Sequence, residues 1–313
     1  MSRVRVCFLG TPEIAVTCLK AMLNDDHFEI VGVVTQPDRP AGRKLMLTPS
    51  PVKSLALAHD LRVISPDNIN QDVILQEIES WSAEIAVVVA FGQILSTKFL
   101  ELFRFGAVNV HASILPRWRG AAPIQRSLEA GETETGVALQ KVVKKLDAGD
   151  LLGIRRLKVT DEMSAQDVYD QMGVLGADLL HIELMDFIRG NLAGIPQNHE
   201  LATYAKKIDN LEARQDWTSP ARLIFNRSRA FVFGPGIWVP FRDKKLKLHR
   251  VKPLAENFNV PAGHVAVVDR EQLIIQTSDG ALSLLEVQPE SRNRMPISEF
   301  LKSANLSEGD LFA

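Results

Sequence analysis

The first half of the chain alternates short β-branched apolar runs with segments of helical periodicity, and few folds satisfy that alternation. Val4–Leu9, Ile30–Thr35, Ile85–Ala90 and Ala107–His111 read as strands buried on both faces. Between them lie helical patterns near Pro12–Leu23, Pro51–His59, Gln71–Trp81 and Pro123–Ala130. Strand and helix in repeated succession predict an α/β, Rossmann-like domain, a parallel sheet with helices on both faces. Gly136–Val143 and Leu151–Thr160 are expected to add strands at one edge. A long helix follows. Ser164 with Asp167 makes a variant capping box, and Val168, Met172, Leu175, Leu179 and Ile182 fall at spacings of four and three. Gly190 is placed to stop it.

Beyond that helix the texture changes. Asn191–Ala202 has no periodicity and reads as a linker. Short strand patterns then recur at Ile237–Phe241, Leu246–Val251, Gly263–Asp269, Gln272–Thr277 and Leu282–Val287, which predicts a small β-barrel or sandwich. The expected division is residues 1–189, a linker over 190–208, and a β domain over 209–313. At 313 residues the chain is longer than one core usually grows. Net charge is −2, so any nucleic acid must be gripped by local basic patches, not by bulk charge. Two cysteines, Cys7 and Cys18, are too few for a zinc cluster or a disulfide framework. With no apolar run long enough for a membrane span and no leader pattern, a cytoplasmic protein that uses no metal and no membrane is expected.

The chemistry concentrates in Asn109-Val110-His111-Ala112-Ser113-Ile114-Leu115-Pro116-Arg117-Trp118-Arg119-Gly120-Ala121-Ala122-Pro123-Ile124. Asn109 and His111 are two apart at the end of a predicted strand, so they share a face. Strand carboxyl ends are where open α/β sheets bind ligands. Downstream, Leu146-Asp147-Ala148-Gly149-Asp150 offers carboxylates in a glycine-bearing loop. An amide, an imidazole and a carboxylate can thus converge on one cleft. Each alone has a plainer reading, a strand-end or turn residue.

That string, with Thr133–Val137 and Leu146–Asp150 downstream, resembles the signature of the methionyl-tRNA formyltransferase family. The resemblance runs nearly end to end. It takes in Phe8–Glu13, the loop Gln36–Lys44, Ser50–Lys53, Tyr204–Ile208, Asp216-Trp217 and Asn226–Phe231. It implies a formyltransferase domain followed by an OB-like β-barrel. It also implies a formyl donor, 10-formyltetrahydrofolate, an acceptor, methionine-charged initiator tRNA, and a monomer. Asn109 and a protonated His111 would donate to the oxyanion, and Asp147 would orient His111. The folate site would map onto Ser113, Ile114, Leu115 and Pro116, with Ala90, Phe91 and Gly92 lining the pterin pocket. The loop bearing Arg39, Arg43 and Lys44 would reach the acceptor end of the tRNA; the stretch after Arg43 is slightly shorter than the family's usual version.

Further basic candidates for the tRNA backbone are Lys206 and Lys207 in the linker, and Lys245 and Lys247 on one strand face. The plainer reading of each is a solvated surface. Four other functions compete. A formyltransferase acting on a small amine, or a formyltetrahydrofolate hydrolase, would keep the same three residues. A nicotinamide oxidoreductase is disfavoured, because Gly10-Thr11-Pro12-Glu13 lacks the Gly-x-Gly-x-x-Gly that admits a pyrophosphate. A non-enzymatic RNA-binding protein would leave the Asn-x-His and Asp set unexplained.

Overall fold

The apolar runs pair as strands because only a sheet covered on both sides can bury them. A computed structural model of the chain describes residues 3–41 and 46–312. Along the first part run Val4–Gly10 (β1), Phe28–Val34 (β2), Arg39–Ala41 (β3), Met46–Thr48 (β4), Val63–Ile64 (β5), Ile85–Val89 (β6), Ala107–His111 (β7), Arg119–Gly120 (β8), Glu134–Lys141 (β9), Leu151–Lys158 (β10) and Tyr204–Ala205 (β11). The helices there are Glu13–Leu23 (α1), Pro51–Ala58 (α2), Asp72–Ser80 (α3), Thr97–Leu100 (α4), Pro123–Glu129 (α5) and Ala165–Ile188 (α6). By internal contacts the chain divides into two compact units. The first takes the chain up to Pro123, then Glu134–Lys158 and Val168–Ala205; the second takes Ile124–Thr133, Val159–Asp167 and the chain from Lys206 on.

The first unit is built on a seven-stranded sheet in the order β10-β9-β7-β6-β1-β2-β5. Strands β5, β2, β1, β6 and β7 are parallel, and β9 and β10 extend the β7 edge in antiparallel fashion. Chain order reverses between β1 and β6, which is the switch point at whose carboxyl edge such sheets hold ligands. Helix α6 begins as its sequence predicts: the Asp167 carboxylate accepts from the Ser164 backbone N–H at 2.8 Å. It packs closely because Gly176 leaves room for Val110 and Cys18, whose atoms a Cβ there would meet at 2.7 and 3.3 Å. Burial pushes both thiols up, Cys18 to about 12, so both stay protonated and inert.

In the second unit, Ile237–Phe241 (β12), Lys244–Leu254 (β13), Val265–Val268 (β14), Leu273–Gln276 (β15), Ala281–Pro289 (β16) and Met295–Pro296 (β17) form an antiparallel sheet, with helices Ala221–Ala230 (α7) and Ile297–Ala304 (α8). The order is β12-β13-β16-β15-β14, with β17 on β16. Among the described residues no ladder joins β12 to β14. An aromatic cluster of Trp217, Phe241, Phe300 and Phe312 fills one side, and the Trp217 indole donates to the Phe312 carbonyl at 3.1 Å.

A second feature of this unit escapes sequence patterning. Arg126 binds Glu129 and Glu212 at 2.7 Å each, and it also donates to the Lys206 and Lys207 carbonyls. Arg227 closes the set on Glu129 at 2.9 Å. The hydrogen bonds from Arg126 hold the Glu212 carboxyl down to about 2. A depressed carboxyl stabilises the fold above its unfolded value near 4.5, and that stability is lost as pH falls toward 2. Arg126→Ala is expected to cost about 2 kcal/mol at neutral pH, since it strands the Glu212 carboxylate while Glu129 keeps Arg227. The variant should also lose part of the steep fall in melting temperature between pH 5 and 2. Equal melting curves for both proteins across that range would refute this.

Candidate active site

β6 and β7 lie side by side with Val89 beside Val110, so the chain leaving β6 at Ala90 emerges next to His111. Three strand ends are tied there: the Phe91 carbonyl accepts from Gln36 Nε2 at 3.1 Å and from Thr11 Oγ at 3.3 Å. Ala90 takes a left-handed backbone, φ +48°, rare for a residue with a Cβ.

On β7, Asn109 and His111 share one face. β9 runs antiparallel with Gln140 opposite Asn109, so the Gln140 side chain joins that face. Asp147, in the loop between β9 and β10, is drawn to it. Its Oδ2 accepts from the Gly120 N–H at 2.8 Å and its Oδ1 from Gln140 Nε2 at 3.1 Å. Oδ1 lies 3.7 Å from His111 Nδ1, and both side chains are largely buried. The other ring nitrogen, Nε2, sits 2.9 Å from the Trp118 carbonyl. A carbonyl only accepts, so Nε2 carries a proton. Nδ1 faces the Asp147 carboxylate beyond hydrogen-bond length, which leaves that nitrogen open to a third atom.

The loop geometry is held from two directions. Trp118 N donates to Thr203 Oγ at 2.9 Å, Arg119 N to the Thr203 carbonyl and Ala121 N to the Ala205 carbonyl. Gly120 has φ +117°, and a Cβ there would sit 2.8 Å from the Ala205 oxygen, so only glycine fits. At Gly149 a Cβ would fall 1.9 Å from the Lys141 carbonyl. Residues 190–205, a linker by sequence, therefore build one wall of the site.

Four side chains that carry this geometry were not singled out from the sequence: Arg119, Gln140, Gln197 and His199. Arg119 is 1% exposed and donates from Nε and Nη2 to Gln197 Oε1 at 3.2 and 2.6 Å, with Nη2 also 2.9 Å from His199 Nδ1. Gln197 Nε2 faces the carbonyls of Gly149 and Asp147 at 2.7 and 3.0 Å and Gln140 Oε1 at 3.2 Å. Strand parity alone places Gln140 on the Asn109 face; nothing local marks the others.

The expected folate residues divide by burial. Ser113, Leu115 and Phe91 are buried, with Phe91 in the core cluster and Ser113 Oγ donating to the Arg117 carbonyl at 2.7 Å. Ile114 and Pro116 are half-buried, and Ala90 and Gly92 are exposed.

The expected tRNA residues that are described divide between the two units, Arg39 in the first and Lys206, Lys207, Lys245 and Lys247 in the second. Arg39 is exposed on β3, in a β3–β4 hairpin that the sequence does not signal, while Arg43 and Lys44 lie outside the described residues. Lys206 and Lys207 are exposed. Lys245 and Lys247 are exposed and alternate with buried Leu246 and Leu248, and Lys245 Nζ lies 4.7 Å over the Trp238 ring. Arg242, from the same basic run, instead caps α8 through the Ala304 and Asn305 carbonyls. Among the described residues no set of three or more His, Cys, Asp or Glu could hold a metal, and no helix is long and apolar enough to cross a membrane.

The chain is similar to known proteins along most of its length. The family model described as "Formyl transferase" matches residues 3–181, and "Formyl transferase, C-terminal domain" matches 207–305. The methionyl-tRNA formyltransferase of Bdellovibrio bacteriovorus is 58% identical over 314 residues, covering 99% of both chains. That of Sulfurihydrogenibium sp. is 37% identical over 312 residues, covering 99% of this chain and all of its own. Among solved structures, WlaRD, a sugar 3N-formyl transferase crystallised with dTDP and 5-N-formyl-THF, superposes with TM-score 0.68 at 19% identity. The match covers 94% of this chain and 100% of that one. An N-formyltransferase from Helicobacter canadensis, in complex with folinic acid and dTDP-3-aminofucose, gives TM-score 0.66 at 18% identity, covering 91% and 99%.

Proposed function

The chain belongs to the methionyl-tRNA formyltransferase family, and on that premise we propose that it transfers formyl from 10-formyltetrahydrofolate to the free α-amino group of methionine on initiator tRNA. The observation that carries this is the convergence of Asn109, His111 and Asp147 at the carboxyl edge of the sheet. A neutral amine attacks the formyl carbon, and the carbonyl oxygen becomes an oxyanion. The proton on His111 Nδ1 and the Asn109 carboxamide are the donors aimed at that oxygen, each contributing about 3 kcal/mol where water is excluded. Among the described residues no partner engages the Asn109 carboxamide, which leaves it for substrate. Asp147 sets the ring and takes up charge as the amine loses its proton. The tetrahedral centre collapses when the carbon–N10 bond breaks, and N10 leaves with a proton.

Segment 90–92 with Ile114 and Pro116 suits the flat pterin, through apolar walls and backbone groups. Arg39, Arg43, Lys44, Lys206, Lys207, Lys245 and Lys247 supply the phosphate contacts, and residues 209–313 serve as the tRNA-binding domain. The protein acts as a monomer in the cytoplasm and needs no metal. The test is formyl transfer from 10-formyltetrahydrofolate to purified methionine-charged initiator tRNA, with free methionine as control. Product on the charged tRNA alone is expected. Folate deformylation without a tRNA product would preserve the chemistry and remove the acceptor.

A further inference from the structure

Arg119 is a cation sealed inside the first unit, with Nη1 left without a hydrogen-bond partner. Its two other donor groups converge on one atom, Gln197 Oε1. Because a guanidinium can only donate, the Gln197 amide has one possible orientation, and its Nε2 must face the other way. There it reaches Gln140 Oε1, which settles the second amide in turn: Gln140 Nε2 faces Asp147 Oδ1. The polarity is consistent at every link, from N–H of Arg119 through two carboxamides to a carboxylate. Links of this kind polarise one another in a low dielectric. Gln197 Nε2 also grips the Asp147 and Gly149 carbonyls, so the same residue holds the backbone under Asp147, which stands at φ +45°.

We propose that Gln197 and Gln140 form a carboxamide relay that carries the charge of Arg119 to Asp147 and orients its carboxylate toward His111. Both are positioning residues, acting through Asp147. The proposal rests on Asp147 serving the reaction. The charged and titratable groups around it are His111 from β7, Arg119 with His199 behind Gln197, and the Lys141–Asp150 pair at the far end of the loop, 3.5 Å apart. Gln140 donates to Asp147 Oδ1, the oxygen nearer His111, and so fixes how the carboxylate is turned.

The experiment measures kcat and KM between pH 5 and 9 on the full chain with 10-formyltetrahydrofolate and methionine-charged tRNA. The variants are Gln140→Leu, Gln197→Leu, the double variant and Asp147→Asn. Each single glutamine variant is expected to lower kcat at pH 7 by about 10- to 50-fold, with KM for either substrate within about threefold. Because the relay runs from Gln197 through Gln140, the double variant should lose clearly less than the product of the two single losses. Should Gln197→Leu fail to fold, Gln197→Glu keeps an acceptor for Arg119 and removes the donors, and the same non-additivity is expected. Losses that multiply, or a loss confined to KM, would each overturn the relay. If Asp147→Asn itself left kcat unchanged, the assignment of Asp147 would fail instead. A large Asp147→Asn loss beside silent glutamine variants would sink the relay alone.

Discussion

His111→Ala is expected to lower kcat/KM for formyl transfer by about 10³- to 10⁴-fold. The ring supplies two things that nothing else in the site can replace. One is the Nδ1 proton facing the reacting oxygen, where a single donor contributes about 10²- to 10³-fold. The other is a group able to carry a proton between amine and leaving group, worth about 10²- to 10⁴-fold in favourable geometry. The two overlap because one nitrogen serves both, so the combined loss stays below their product. Stability should fall by only about 1–2 kcal/mol. The Trp118 carbonyl loses one hydrogen bond, while Asp147 keeps Gly120 N and Gln140 Nε2. Steady-state kinetics with a melting curve tests both halves. A variant that melts like the wild type and still transfers formyl within tenfold of its rate would remove His111 from the reaction.

Much of this site was legible before any coordinates. β7 runs over Ala107–His111 as the apolar pattern requires, and parity alone put Asn109 and His111 on one face. The long helix and its cap at Ser164 follow from spacing. What sequence reasoning missed has physical causes. β5 is two residues long, too short for any period. Helix α7 turns Asn226 and Arg229 inward, so its buried stripe is partly polar and its apolar period is broken. α8 spans only eight residues, below the length at which a period of 3.6 separates from a period of 2. Gln197 lies 50 positions from the Asp147 carbonyl it holds, in a segment without periodicity, and only the fold brings the two together. A glutamine in an irregular stretch reads as surface, and nothing local distinguishes one that is 6% exposed.

Asp147→Asn should be nearly as damaging as loss of the histidine, about 10³-fold in kcat, with a stability loss of only about 1–3 kcal/mol. Asparagine fits the space and tolerates φ +45° as well as aspartate does, so the backbone carries no new strain. The damage is in hydrogen-bond polarity. Two N–H groups, from Gly120 and Gln140, point at this side chain, and His111 Nδ1 faces it from 3.7 Å. A carboxylate accepts from both N–H groups and faces the ring with an acceptor; an amide offers one acceptor and one donor end. If the amide oxygen stays with Gly120, its NH₂ confronts Gln140 Nε2 and His111 Nδ1. Gln140 could answer by turning over, but its own oxygen is held by Gln197 Nε2. His111 answers more cheaply, by giving up the Nδ1 proton and accepting there, because Nε2 keeps its proton for the Trp118 carbonyl. The ring then stands in place, neutral, with nothing to donate to the oxyanion. kcat should therefore collapse while both KM values hold within about threefold, because the interaction lost belongs to the transition state. Activity within tenfold of wild type at neutral pH would mean that the carboxylate charge plays no part, and that His111 takes its proton state from the Trp118 carbonyl alone.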